Sequence, residues 1–412
     1  MIGSLKTITP QQWKCLVAAQ LGWMLDAMDV MMYAFALGTI QTEFGLTSSQ
    51  AGALASAALV ASAVGGIGFG VLADKVGRAR ALIFSILTYS LFTGLTATAG
   101  SLWELLVWRT LVGFGMGGEW SAGSVLVSET WPAEHRGKAI GFMQAGWAIG
   151  YIFAAILSAV ILPHFGWRVL FLAGIAPAFL ILWIRQQVQE PELWRTRSQA
   201  KTLGPLDGIA ELLRAPHLQR VLLGSAMTMA VLFAYWGLFT WMPAFLAKPL
   251  DQGGAGLGIV RSSAWIIPMQ IGAFFGYTSF GFFADRFGRR SVFAVFLACA
   301  AFLVPMYGQL AQHELALLIL GPLVGFFGHG YFSVFGVMLS ELFPTHLRAT
   351  AQGTVYNIGR AFSALAPYTI GALADSAGLG SALGITSAFF LIGAGLIFTL
   401  PETRGQDLQH HL

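Results

Sequence analysis

The segment Leu25-Asp26-Ala27-Met28-Asp29 places two carboxyl groups near the middle of the first apolar stretch long enough to cross a membrane. An ionised acid at the centre of a membrane helix costs roughly 2.5–3.5 kcal/mol, so such residues seldom occur without a purpose. Three residues apart, Asp26 and Asp29 share one helical face and look together into a protein interior or an aqueous cavity. The chemistry this pattern suits is proton or ion coupling; the structural alternative is a polar pair neutralised by neighbouring helices. Two further ionisable residues, Arg109 and Glu119, fall inside another apolar stretch. At about 1.5 Å per residue, Asp26 lies roughly 16 Å into its helix, Glu119 about 14 Å into its own, and Arg109 about 5 Å beyond Asp29. Desolvation favours the neutral carboxyl and a nearby cation favours the charged one, so a group balanced between them can load and release a proton. Asp26, Asp29 and Glu119 are the proton-coupling candidates, and Arg109 either modulates them or meets substrate.

A single cation answers from the other end of the chain. Tyr356-Asn357-Ile-Gly-Arg360 puts Arg360 near mid-depth of a late span, three residues after Asn357, the only asparagine in the sequence. The guanidinium fork suits a carboxylate, which it can hold with two parallel bonds. Arg360 and Asn357 therefore form a candidate clamp for an anionic substrate. Tyr33, Gln144, Tyr235, Trp236, Gln270, His329 and Tyr356 also fall near mid-depth as candidate walls for a small organic anion, and His329 adds a ring that titrates near neutrality.

The elements that position these groups are membrane helices. Apolar residues make up 56% of the chain, charged residues 10%, and mean hydropathy is +0.70, whereas soluble domains carry about 25% charged residues. Twelve apolar runs of spanning length occur at approximately 15–40, 51–72, 81–99, 102–128, 138–162, 167–185, 219–247, 259–282, 291–309, 314–340, 349–371 and 379–400. Continuous runs of this kind satisfy their backbone polar groups in lipid only as helices. With both termini cytoplasmic, eighteen of the 23 Lys and Arg residues fall on the cytoplasmic side, three outside (Arg168, Lys248, Arg261) and two inside spans. That bias sets orientation by the positive-inside rule and explains the net charge of +4 without any nucleic acid. Cys15 and Cys299 lie in different spans, which argues against a disulfide framework or a metal site.

The chain repeats itself. Gly70-Val-Leu-Ala-Asp74-Lys-Val-Gly77-Arg78-Ala-Arg80 returns 211 residues later as Gly281-Phe-Phe-Ala-Asp285-Arg-Phe-Gly288-Arg289-Arg290. Ser128-Glu129-Thr-Trp-Pro132, continuing to Arg136 and Gly137, returns 212 residues later as Ser340-Glu341-Leu-Phe-Pro344, continuing to Arg348. The expected organisation is an N-terminal six-helix half over 1–185, a polar linker over 186–218 and a C-terminal six-helix half over 219–412. The charged residues of these loops, Asp74, Arg78, Arg80, Glu129, Arg136, Asp285, Arg289, Glu341 and Arg348, read as a gating network latching the two halves on the cytoplasmic side.

The Gly-x3-Asp-x2-Gly-Arg-x-Arg loop and its echo resemble the cytoplasmic signature of the major facilitator superfamily, over essentially the whole chain. Arg109-Thr-Leu-Val-Gly-Phe-Gly-Met-Gly-Gly-Glu119-Trp, Glu129-Thr-Trp-Pro132, Arg136-Gly137 and Gln144-Ala-Gly-Trp-Ala-Ile-Gly150-Tyr are similar to the sialate:proton symporter branch, which includes sialic-acid and lactate/pyruvate permeases. Asp26-x-x-Asp29 also resembles the first helix of the aromatic-acid:proton symporters. The fifth span lacks the Gly-Pro pair of drug:proton antiporters. The resemblance implies an all-α membrane fold of twelve helices in two pseudo-symmetric halves and proton-coupled import of a small carboxylate by alternating access. Lactate or pyruvate is the first expectation, with sialic acid, aromatic acids or sugars as alternatives. The implied partners are the organic anion, protons and the lipid bilayer of a bacterial inner membrane, the carrier being a monomer. A non-transporting receptor on the same scaffold is the rival from another class. No nucleophile–base pair, metal spacing or phosphate-binding loop points to an enzyme or a cofactor.

Overall fold

Helix ends are written plainly into the sequence. Thr9 caps the first helix, accepting a hydrogen bond from the Gln12 amide at 3.3 Å while its own amide donates to Gln12 Oε1 at 2.7 Å, and Pro10 occupies the first turn, where its missing N–H costs nothing. Gly45, with φ of 62°, ends that helix in the left-handed conformation. Thr47 and Gln50 repeat the capping box for the second helix.

The computed structural model describes residues 8–191, 205–215, 217–333, 335, 338, 342–343 and 347–402. Among them there is no strand. The N-terminal half contains α1 (Pro10–Phe44), α2 (Ser48–Val76), α3 (Arg78–Thr96), α4 (Leu102–Thr130), α5 (Ala133–Ala173) and α6 (Ala178–Gln187). A short α7 (Pro205–Leu212) precedes α8 (His217–Phe239), α9 (Met242–Ala247), α10 (Gly258–Phe287), α11 (Arg289–Gln309) and α12 (Glu314–His329). The chain ends in α13 (Arg348–Ser363), α14 (Leu365–Ala377), α15 (Leu379–Leu383) and α16 (Ile385–Leu396).

Eight segments are long and apolar enough to cross a membrane. One of them, Gly137–Gln187, makes two crossings, because Gly166 at φ 75° breaks the helix where the apolar runs leave a gap. With α4, α12 with the residues after it, and the consecutive pair α13 and α14, the number of spans is twelve. The protein is a multi-pass membrane protein with an all-α fold.

Each half is knitted by close helix crossings. A Cβ on Gly65 would overlap the carbonyl of Phe114, and one on Gly113 would overlap that of Ala58, so α2 and α4 touch backbone to backbone. In the second half a Cβ on Gly276 would overlap the Phe326 carbonyl, and one on Gly325 that of Met269, binding α10 to α12. All four partners reappear at the 211–212 offset, so the duplication extends to the packing itself. The halves meet along α5 against α10 and along α2 against α13 and α14.

The face at the N-terminal end of α2 is sealed between the halves. Asp375 accepts the backbone N–H groups of Ser48 at 2.9 Å and Ser49 at 3.0 Å. Beneath it, a Cβ on Gly52 or Gly371 would overlap the backbone of Pro367 or Ser48, and the Tyr368 amide donates to Ser56 at 3.3 Å.

Candidate functional site

Five ionisable side chains converge at mid-membrane: Asp26 and Asp29 from α1, Arg109 and Glu119 from α4, and Arg360 from α13, none more than 2% exposed. They form two groups. Arg109 Nη1 lies 3.9 Å from Asp29 Oδ2, and its guanidinium carbon stands 4.7 Å from the Tyr33 ring centre, a cation–π contact. Tyr33 is fixed by its hydroxyl, which donates to the Ala51 carbonyl at 2.9 Å. Arg360, from the opposite half, lies within electrostatic reach of both Asp26 and Glu119, and the Glu119 carboxyl rests against Gly22, where no side chain intervenes. No carboxyl oxygen of Asp26, Asp29 or Glu119 has a hydrogen-bond partner.

Aromatic rings surround these charges. Tyr356 lies 5.5 Å below the Arg360 guanidinium and stacks on Trp120 of the other half at 4.3 Å. Trp23 and Trp147 meet at 4.7 Å, and Trp147 meets Trp236 edge-on at 5.9 Å across the half boundary. One cavity, of about 20 Å³, is bordered by Trp23, Gln144, Trp147, Tyr235, Trp236, Tyr277, Tyr356 and Arg360. A second, of about 30 Å³, is bordered by Tyr33, Arg109, Trp236 and Thr240 among apolar residues. Trp236 borders both. A pocket that engulfs a small organic ligand needs about 300–1,000 Å³, so neither of these two cavities has room for one as it stands.

Of the wall candidates, Tyr33, Gln144, Tyr235, Trp236 and Tyr356 border these cavities. Asn357 does not: its amide donates to the Gly353 carbonyl at 2.9 Å and its oxygen faces Gly66 of α2. His329 is buried behind the wall, with Nδ1 3.1 Å from the Gly325 carbonyl and its ring 5.2 Å from that of Tyr235. Gln270 is buried with no partner for its amide and borders neither cavity. Trp23, Trp147 and Tyr277 were not singled out in the sequence. Trp23 stands three residues before Asp26, on the same helical face, and Trp147 lies inside the Gln144-Ala-Gly-Trp motif, so both carried a usable signal.

Among the loop charges, Arg78 holds Glu129 with two bonds of 3.1 and 3.0 Å. Glu190 accepts the backbone amides of Ala79 and Arg80 at 3.2 and 3.1 Å, capping α3. Glu402 caps α11 in the same way through the amides of Arg289 and Arg290, both at 3.1 Å. These links each join elements of one half. Glu190 and Glu402 were missed, although they stand 212 residues apart, at the repeat offset. Asp285 is exposed beside Arg289, and Arg80 is exposed. Glu341 and the side chains of Asp74, Arg136 and Arg348 lie outside the described residues.

Two repeated six-helix halves enclosing buried charges at mid-membrane define a secondary carrier. The family model of the Major Facilitator Superfamily matches residues 21–279 and 263–410. The chain belongs to that superfamily of membrane transporters. A probable 4-methylmuconolactone transporter of Cupriavidus pinatubonensis is 35% identical over 413 residues, covering 98% of this chain and 94% of its own length. A sialic acid transporter of Escherichia coli is 31% identical over 389 residues, covering 93% of each chain. A crystal structure of a D-xylose–proton symporter superposes with a TM-score of 0.76 at 19% identity, over 96% of this chain and 99% of that one, a likeness of fold.

Proposed function

We propose that this chain is a proton-coupled symporter importing a small monocarboxylate by alternating access, in a bacterial inner membrane with both termini cytoplasmic. The observation that carries the reading is the charge count of the chamber: among the described residues, the cations facing Asp26, Asp29 and Glu119 are Arg109 and Arg360. A buried charge without compensation is far costlier than its neutral form. Asp29 is matched by Arg109 at 3.9 Å, whereas Asp26 and Glu119 share Arg360. One proton on the Asp26–Glu119 pair balances the set. A substrate carboxylate on Arg360 adds a negative charge, and the remaining carboxyl of the pair takes up a second proton to restore balance. One proton then travels with each carboxylate, and the step is electroneutral. This assigns coupling to Asp26 and Glu119, with Asp29 tuning Arg109.

The names of the relatives, a lactone carrier and a sialic acid carrier, support an organic acid. Lactate and pyruvate follow from the sequence resemblance, yet walls of Trp23, Trp147, Trp236 and Tyr356 favour a flat unsaturated or aromatic acid, whose faces bury against rings. The test is uptake by proteoliposomes under an imposed pH gradient, with benzoate, lactate, pyruvate, sialic acid and glucose. Benzoate should accumulate, with uptake abolished by a protonophore, and glucose should not. Uptake that ignores the pH gradient would overturn the coupling, and failure of every acid would overturn the carboxylate reading.

A further inference from the structure

The buried polar atoms of the residues bordering the Arg360 cavity are mostly donors. Trp23 Nε1, Trp147 Nε1, Trp236 Nε1 and Tyr235 Oη all lack a hydrogen-bond partner, and every one of these residues is at most 6% exposed. An indole N–H can donate and cannot accept. Tyr235 Oη lies near Trp147 Nε1 and, as a phenol hydroxyl, can still donate a proton to a ligand. Gln144 also borders the cavity with an unpartnered amide oxygen, but its amide can present either atom by a flip, so it imposes no preference. The contacts Trp23–Trp147 at 4.7 Å and Trp147–Trp236 at 5.9 Å make the three indoles one continuous wall reaching across the half boundary. A buried donor that finds no acceptor destabilises the site, and a ligand that supplies the acceptor recovers that free energy.

We propose that this wall, Trp23, Trp147 and Trp236 with Tyr235, is a donor-rich subsite that selects acids whose end remote from the carboxylate carries a hydrogen-bond acceptor. A ring nitrogen or a lactone carbonyl fits; a bare hydrocarbon edge does not, because it leaves the indole N–H groups without an acceptor. The inference rests on the carboxylate reading, since Arg360 must hold the opposite end of the same molecule. Indole faces then flank the ring, while one or more of the N–H groups meets its far edge.

Nicotinate and benzoate test this cleanly, being the same flat acid with and without an acceptor in the ring. The reconstituted full chain should take up nicotinate with a KM about tenfold below that for benzoate, the worth of one recovered hydrogen bond. Trp236→Phe and Tyr235→Phe keep the rings and remove the donors, so the nicotinate-to-benzoate ratio should fall toward one in at least one of them. Trp23→Phe is the third variant should either of the first two fail to yield folded protein, as judged by monodispersity. Equal handling of the two acids by the wild type, or a ratio that survives all three substitutions, overturns the donor subsite. If neither acid is transported, the carboxylate reading falls instead, so the two failures are distinguishable.

Discussion

Asp375, at the end of α14, pins the two halves together on the sealed face, through the Ser48 and Ser49 amides at 2.9 and 3.0 Å. Those amides are the unsatisfied donors at the start of α2, and the carboxylate also meets the positive end of that helix. Removing an N-terminal cap to alanine costs about 0.5–2 kcal/mol. Asp375 is solvent-exposed, so about 1 kcal/mol is appropriate, which is roughly fivefold in the open-to-sealed ratio. Thr240 is buried beneath the seal beside Arg109. In a background with Cys15 and Cys299 replaced by serine, Thr240→Cys should react with a membrane-impermeant maleimide added on the Asp375 side. Asp375→Ala should speed that reaction about fivefold. The pH dependence has a definite sign. Burial alone would raise the Asp375 carboxyl, but hydrogen bonds from Ser49 and Ser48 outweigh it and hold the group below its ordinary value. A depressed carboxyl contributes fully above its ordinary value and is lost as pH falls through the depressed one. Because a maleimide slows as the thiolate is lost, the pH arm is read instead from the distance between spin labels flanking the seal, whose open fraction should be flat from pH 8 to 5 and rise only below about pH 4. Lys248 is the neighbouring cation that reinforces the ionised form. An unchanged labelling rate in Asp375→Ala, or an open fraction already climbing as pH falls from 8 to 5, would refute the assignment of the seal to this carboxylate.

The remaining expectations concern the chamber and its scaffold. Arg360→Lys exchanges a planar fork for a point charge; loss of one charge-assisted bond should raise KM for the carboxylate about tenfold or more, measured in proteoliposomes. Asp26→Asn combined with Glu119→Gln removes both carboxyls of the pair, so it should still pass substrate down its own gradient yet lose accumulation driven by a pH gradient, whereas Asp29→Asn should retain accumulation. Retained accumulation in the double variant together with loss in Asp29→Asn would reverse the division of labour between the pair and Asp29. Gly325→Val drives a side chain into the Met269 carbonyl and should cost about 1–3 kcal/mol, seen as a lowered thermal midpoint in detergent.

Depth was readable in the sequence, and so was the duplication, because both are properties of one strand of text: hydropathy locates a span, and counting residues locates Asp26, Glu119 and Arg360 within it. Partnership was not. Glu119 sits ten residues from Arg109 in the same helix but shares a neighbourhood with Arg360 of the other half, since ten residues along a helix turn the two side chains to different faces. Asn357, three residues before Arg360, faces Gly66 because α13 leans on α2 at a position where no side chain intervenes. Spacing cannot report that lean. His329 turns its Nδ1 to the carbonyl four residues back in its own helix, an option open to any interior histidine and invisible to periodicity. Glu190, Glu402 and Asp375 act on helix ends far away in the chain, and a capping residue that is not local leaves no local signature.

Helix α2 touches the opposite half at two separated points: at its N-terminal end, where Ser48 and Ser49 meet Asp375, and further along, where Gly66 meets Asn357. Eighteen residues separate Ser48 from Gly66, a beam of about 27 Å. Clamped to α4 by glycine crossings, this beam is stiff, so any pivot of one half against the other cannot spare both contacts. A reporter placed at the Asn357 end would therefore register what happens at the far seal, and the carrier's whole cycle is legible from a single rod.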